Sequence, residues 1–187
     1  MKPHYTAFDR WVARMRHRAA ERHITPNSRV CDVGCGVEAL FLRDIQMLAR
    51  FRVGLDWQEV TVKLPGVHFV QGDIRAGFPF GNACFDHVTL LAVLEHLENP
   101  RVVFQEAHRI LVPGGSLIVT WPSALVDPLL DVLMALHMVS RATEADKHQP
   151  RKSANHWVQL VKTMEFEEVT HRTFEFGLNN LLVARRP

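Results

Sequence analysis

The run Val30-Cys31-Asp32-Val33-Gly34-Cys35-Gly36-Val37-Glu38-Ala39 constrains the fold more than any other stretch of the chain. A short apolar segment ends at two closely spaced glycines, and residues 38–49 beyond them carry a helical pattern. Glycine permits the tight turn, and the amides at the start of the following helix then face whatever lies beyond the strand end. The reading is a strand at 29–33, a turn on Gly34 and Gly36, and a helix, so a nucleotide-like ligand can approach the backbone closely.

Further strands are predicted at 51–55, 67–71, 85–91 and 116–120, with a helix at 101–111. Only residues 56–66, including Pro65, separate the second and third strands, which leaves room for one helical turn at most. Strands alternating with helices predict a doubly wound α/β fold with a parallel sheet. The tail differs: a helix over 153–164 precedes segments 167–176 and 178–185, joined through Gly177. Two strands so close together form an antiparallel hairpin. Phe8, Trp11, Val12, Met15 and Ala19 recur at helical spacing, predicting an amphipathic helix over 6–22 with an arginine-rich solvated face.

The 187 residues suit one domain spanning 1–187, with an N-terminal helical segment at 1–25 and an insert at 122–150. Lys+Arg 22 against Asp+Glu 20 leaves +2, too balanced for a dedicated nucleic-acid binder. The longest apolar stretch, 124–139, is interrupted by Asp127, Pro128, Asp131 and His137, so no membrane span is expected. Cys31, Cys35 and Cys84 have neither disulfide-framework nor zinc spacing, which points to small core residues of a reduced, cytoplasmic protein.

Two ligand classes fit the glycine turn. Gly34-x-Gly36-x-x-Ala39 with Asp56 after the next strand fits the dinucleotide fingerprint. Asp32 discriminates between them. At about 5 Å a carboxylate opposes each pyrophosphate charge by roughly 3 kcal/mol at an effective dielectric of about 20. The sulfonium and ammonium of S-adenosylmethionine (AdoMet) are attracted instead, so the sign favours AdoMet.

Asp32-Val33-Gly34-Cys35-Gly36 resembles the first motif of class I AdoMet-dependent methyltransferases, and Val53-Gly54-Leu55-Asp56 resembles their second. Val70-Gln71-Gly72-Asp73-Ile74 is similar to the third, Phe85-Asp86-His87-Val88 with Val93-Leu94-Glu95-His96-Leu97 to the fourth strand and its exit, and Arg109-Ile110-Leu111-Val112-Pro113-Gly114-Gly115 to the turn before the fifth. The nearest branch is the ubiquinone/menaquinone-type small-molecule group. The resemblance implies a mostly parallel seven-stranded sheet with a C-terminal antiparallel hairpin and helices on both faces. It implies AdoMet as methyl donor and S-adenosylhomocysteine (AdoHcy) as product. The implied cofactor residues are Asp32, Gly34, Cys35, Gly36, Asp56 for the ribose, Trp57, Gly72, Asp73 for the adenine amine, Ile74 against the ring, and Leu91.

Glu38 stands where the family usually has a third glycine, and either crowds the methionine end or opens the helix. Trp57 is read equally as a stacking wall beside adenine and as a core aromatic. Glu95-His96 lacks the first acidic position of a metal-binding Glu-x-x-Glu-His arrangement, which is Ala92 here, so no metal is expected. His96 is the candidate general base, with capping of the next helix as the alternative. His148 and His156 either line a substrate site or are solvated. The insert carries an apolar helix (Leu125, Leu129, Leu133, Leu136) and a polar stretch at 141–152, read as core, as a dimer surface, or as a lid over an apolar acceptor. The expected activity is in-line methyl transfer to a small-molecule acceptor. The alternatives are a methyltransferase-like binding protein without catalysis and a nicotinamide-dependent reductase.

Overall fold

The computed structural model describes residues 7–60, 62–125 and 152–187. The expected insert helix, apart from Leu125, and His148 lie outside them. The elements in chain order are α1 (Ala7–Glu21), β1 (Ser28–Val33), α2 (Leu40–Asp44), β2 (Ala49–Asp56) and β3 (Val67–Gln71). β4 (Phe85–Leu91), a single 3-10 turn (Leu94–His96), α3 (Pro100–Ile110), β5 (Leu111–Pro122), α4 (Ala154–Lys162), β6 (Glu167–Phe174) and β7 (Asn179–Arg185) follow.

The seven strands form one sheet in the order β3-β2-β1-β4-β5-β7-β6. The first five are mutually parallel, and β7 runs antiparallel to both β5 and β6. Strand order reverses between β1 and β4, so the crevice beyond their carboxyl ends is where an open sheet of this kind takes a ligand. Strand alternation sends side chains to two apolar layers. Leu117, Val119 and Trp121 join Phe104 of α3 and Trp157 of α4 on one face. Ile118 and Leu181 join Ala20 of α1 and Phe41, Leu42 and Ile45 at α2 on the other.

Two expectations are corrected. The helix predicted over 38–49 is only Leu40–Asp44, because Ala39 adopts a left-handed conformation with φ 43° and no side chain caps the start. At its far end Ala49 pairs with Ser28, so strand pairing captures residues that carried a helical pattern. Likewise β5 begins at Leu111, ahead of the predicted 116. Pro113-Gly114-Gly115 bulges within the strand: Phe85 pairs with Leu111 but His87 already with Ser116. Gly114, at φ +78°, supplies the left-handed backbone that this bulge needs.

Residues 57–66 form no helix among the described positions. Buried Arg52 anchors that segment, donating to the Leu42 carbonyl at 2.7 Å and to the Pro65 carbonyl at 2.7 Å.

Candidate cofactor site

β1 delivers Asp32 and the glycine turn to the crevice at the β1/β4 switch point. Gly34 has φ +76°, and a Cβ there would lie 2.6 Å from Val93 Cγ2, so a side chain is excluded by both backbone and space. The Gly34 amide donates to the Leu55 carbonyl at 2.7 Å, tying the turn to the end of β2. A Cβ on Gly36 would meet nothing within 4 Å. The second glycine therefore borders open space, as a ligand-facing backbone requires.

Asp56 ends β2 and closes the turn. Its Oδ2 accepts from the Gly36 amide at 2.8 Å, and its Oδ1 from the Gln58 amide at 2.9 Å. Each oxygen retains acceptor capacity, which is what a ribose diol needs. The Gly72 amide donates to the Asp56 carbonyl at 2.9 Å, so the end of β3 is held against the same point.

Asp32 is 3% exposed and accepts a 2.6 Å hydrogen bond from Thr89 Oγ1 on β4. Burial pushes its carboxyl up to about 7; the Asp56 charge adds to the rise, and the Thr89 bond opposes it. A buried acid held between protonation states is stabilised as a carboxylate by an incoming cation and opposed by an incoming phosphate. The chemistry of this donor set therefore fits a sulfonium and ammonium group. Burial also pushes the Cys35 thiol well up, with Asp32 and Asp56 reinforcing it, which leaves a neutral thiol packed beneath the turn.

The remaining expected residues fall at the same edge in different states. The Asp73 carboxylate is engaged with Arg75, whose Nε donates to Oδ1 at 2.8 Å and whose Nη2 donates to Oδ2 at 2.8 Å. That pairing holds its carboxyl down at about 2. Ile74 is half-buried against the first apolar layer, and Leu91 is half-buried at the end of β4. Trp57 is 69% exposed, which overturns the core-aromatic reading: the chain turns outward after Asp56, and Gln71 Nε2 holds the Trp57 carbonyl at 3.1 Å. Glu38 is exposed and precedes α2, so it neither fills the turn nor opens the helix; the left-handed Ala39 separates them. His96 is exposed on the 3-10 turn, and the next helix is capped by Asn99, whose Oδ1 accepts from the Arg101 amide at 3.3 Å. The capping alternative for His96 is thereby corrected.

Thr89 stands in none of the motifs singled out in the sequence, and Gly54 and Val93 stand in them without an assigned role. Gly54 matters because a Cβ there would lie 2.7 Å from Cys35 Sγ, so its bareness lets the turn sit down on β2. A cleft of about 790 Å³ lies at the amino ends of β4 and β5, lined by His87, Ser116 and Arg185 among others, far from these groups. Chemistry rather than cavity size identifies the site.

Residues 31–119 match the family described as a methyltransferase domain. A probable S-adenosylmethionine-dependent methyltransferase of Mycolicibacterium smegmatis is 34% identical over 116 residues, covering 60% of this chain and 42% of that protein. A ubiquinone biosynthesis O-methyltransferase of Xanthomonas oryzae pv. oryzae is 26% identical over 174 residues, covering 85% of this chain and 72% of that protein. The chain spans less than half the length of the first curated relatives that it matches. Among solved structures, the complex between the Haloferax volcanii Trm112 methyltransferase activator and a methyltransferase has a TM-score of 0.69 at 16% identity, covering 97% of this chain and 98% of that one. With the motifs in order and the seven-stranded sheet in place, residues 31–119 are similar to the methyltransferase-domain family, and the fold is that of class I AdoMet-dependent methyltransferases.

Proposed function

We propose that the chain binds AdoMet at the β1/β4 crevice and transfers its methyl group to a small-molecule acceptor. One observation carries the reading: the Asp56 carboxylate closes the glycine turn through Gly36 while Asp32 lies buried beneath the same turn. Asp56 would hold the ribose hydroxyls, Gly34 and Gly36 admit the cofactor to the backbone, and Asp32 supplies the negative charge that a sulfonium and ammonium require. Asp73 would meet the adenine amine by sharing its carboxylate with Arg75, Ile74 and Leu91 would line the pocket, and Trp57 is free to fold over the ring.

AdoMet supplies an activated methyl on sulfur, so the protein's task is orientation and exclusion of water, with a base only where the acceptor needs one. His96, exposed beyond the end of β4, is the candidate to take a proton from an acceptor hydroxyl. The Xanthomonas relative's name supports an amphipathic, quinone-like acceptor class. Cys31, Cys35 and Cys84 are free thiols, which supports a reducing, cytoplasmic setting. Among the described residues no helix is long and apolar enough to cross a membrane.

Calorimetric titration with AdoMet, AdoHcy and NADH tests the proposal. AdoMet and AdoHcy should bind while NADH does not. Binding of NADH in place of AdoMet would refute it.

A further inference from the structure

A second polar cluster lies two strands away from the cofactor turn, at the carboxyl end of β5. Ile118 and Leu181 pack in the α1-side layer, so by alternation Thr120 and Asn179 share that face. Asn179 Nδ2 donates to Glu175 Oε2 in the β6–β7 hairpin turn. Arg16 of α1 acts on the Glu175 charge, which places the helix over this corner.

The cluster is incomplete. Thr120 is wholly buried, and among the described residues its Oγ1 has no hydrogen-bond partner; Glu175 Oε1 is buried and also lacks one among them. Buried polar atoms without partners call for an explanation, and a ligand group is one. Burial holds the Glu175 carboxyl above its ordinary range, with the Asn179 bond and the Arg16 charge opposing the rise. The hairpin turn holds Glu175 and Phe176 at φ 52° and 57°, conformations that favour glycine, so the turn bears strain to keep Glu175 there. Beside it the surface is apolar: Phe176 is 98% exposed and Leu125 60% exposed. Leu125 Cδ1 lies 3.4 Å from where a Cβ on Gly177 would stand.

We propose that Glu175, with Asn179 and Thr120, receives the polar end of an amphipathic acceptor, one that presents a hydroxyl or amine hydrogen-bond donor on an apolar body. This rests on the methyltransferase reading above for its role in turnover. β7 lies three strand spacings from β1, about 14 Å at about 4.8 Å each. Glu175 is therefore a positioning residue for the acceptor's far end, and the reacting atom lies nearer β1 and β4. The carboxylate accepts the donor's hydrogen, the Thr120 hydroxyl adds a second partner, and the Leu125–Phe176 rim covers the apolar body.

The test uses the full chain and four probes: para-propylphenol, para-propylbenzylamine, para-propyltoluene and para-propylacetophenone. Binding is followed by protein NMR with and without saturating AdoHcy. The phenol or the amine should bind about tenfold more tightly than the toluene, the equivalent of one charged hydrogen bond. A stronger amine identifies a cationic acceptor, and a stronger phenol a neutral one. In Glu175→Gln the preference should fall below about threefold, and the acetophenone, which can only accept, should gain, because the side-chain amide then faces the ligand. Thr120→Val, nearly isosteric, should weaken the same probe about threefold. Melting temperatures of both variants serve as the control on folding. A wild-type protein that binds all four alike, or a Glu175→Gln protein that keeps the preference, overturns the proposal. AdoMet titration of the same samples separates the two readings: lost AdoMet binding sinks the methyltransferase assignment, whereas intact AdoMet binding without donor selectivity sinks only the Glu175 site.

Discussion

Replacing Asp32 by Asn should stabilise the ligand-free protein and weaken AdoMet binding at once. The folded carboxyl titrates at about 7 against an ordinary 3.8. That difference corresponds to about 4 kcal/mol. Because the folded state holds the proton more tightly, its stability is greatest below about pH 4, declines as pH climbs to about 7, and is flat above that. Asn keeps the shape and an oxygen for the Thr89 hydroxyl but has no charge to bury. Urea unfolding at a series of pH values should therefore show the wild-type protein losing about 2 kcal/mol relative to Asp32→Asn between about pH 5 and about pH 7. AdoMet affinity should fall at least about tenfold in the variant at about pH 8, and in the wild type it should rise with pH through the same window as the carboxylate forms. Simple structural damage lowers stability and affinity together, whereas loss of a poised charge moves them in opposite directions. Parallel stability curves for the two proteins would falsify the placement of a titrating acid at this position.

Asp56→Ala should cost about 2–4 kcal/mol of AdoMet binding by calorimetry, since both the ribose partner and the Gly36 tie are lost; unchanged affinity removes Asp56 from the site. Asp73→Asn should weaken adenosine-type ligands less than Asp73→Ala, because an acceptor oxygen survives, and equal binding of inosine-type analogues contradicts the adenine assignment. Gly34→Ala should destabilise the fold by about 1–3 kcal/mol in thermal or urea unfolding, from left-handed strain plus the Val93 contact. Adding Val93→Ala should recover only the steric part, and full recovery would show that the backbone is unstrained.

Much of the sheet was legible because its strands are near-continuous apolar runs bounded by turn residues. β3 and β4 start and stop where the patterning places them, and Gly177 marks the hairpin. The helix after the glycine turn was not legible to the same degree. Its apolar periodicity survives in Phe41, Leu42 and Ile45, yet the left-handed Ala39 and the Ser28–Ala49 pairing are tertiary facts that override it. Residues carried by motif spacing (Asp32, Gly36 and Asp56) lie close together, because Asp32 and Asp56 sit at the carboxyl ends of the paired strands β1 and β2 and Gly36 lies in the turn after β1, bonded to Asp56. Thr89 escaped because its partnership with Asp32 depends on parallel register between β1 and β4, fifty-seven positions apart in sequence. Glu175 escaped for a related reason: it lay inside the segment 167–176 read as strand, whereas β6 ends at Phe174 and the turn takes Glu175 and Phe176.

The order of strands has a consequence for how the molecule is made. β7 follows β6 in the chain yet sits between β6 and β5, antiparallel to each. During synthesis the open side of β5 stays bare, with Leu117, Ile118 and Val119 in place, until residues 179–185 emerge. β6 has nothing to dock on until then. Closure of the sheet is thus a late, non-local event, slow by the measure of chain separation and exposed to strand-to-strand association between nascent copies. A ribosome-bound chain halted before β7 should accordingly hold β1 to β5 and lean on chaperones, and its release should be followed by a single concerted docking of the hairpin.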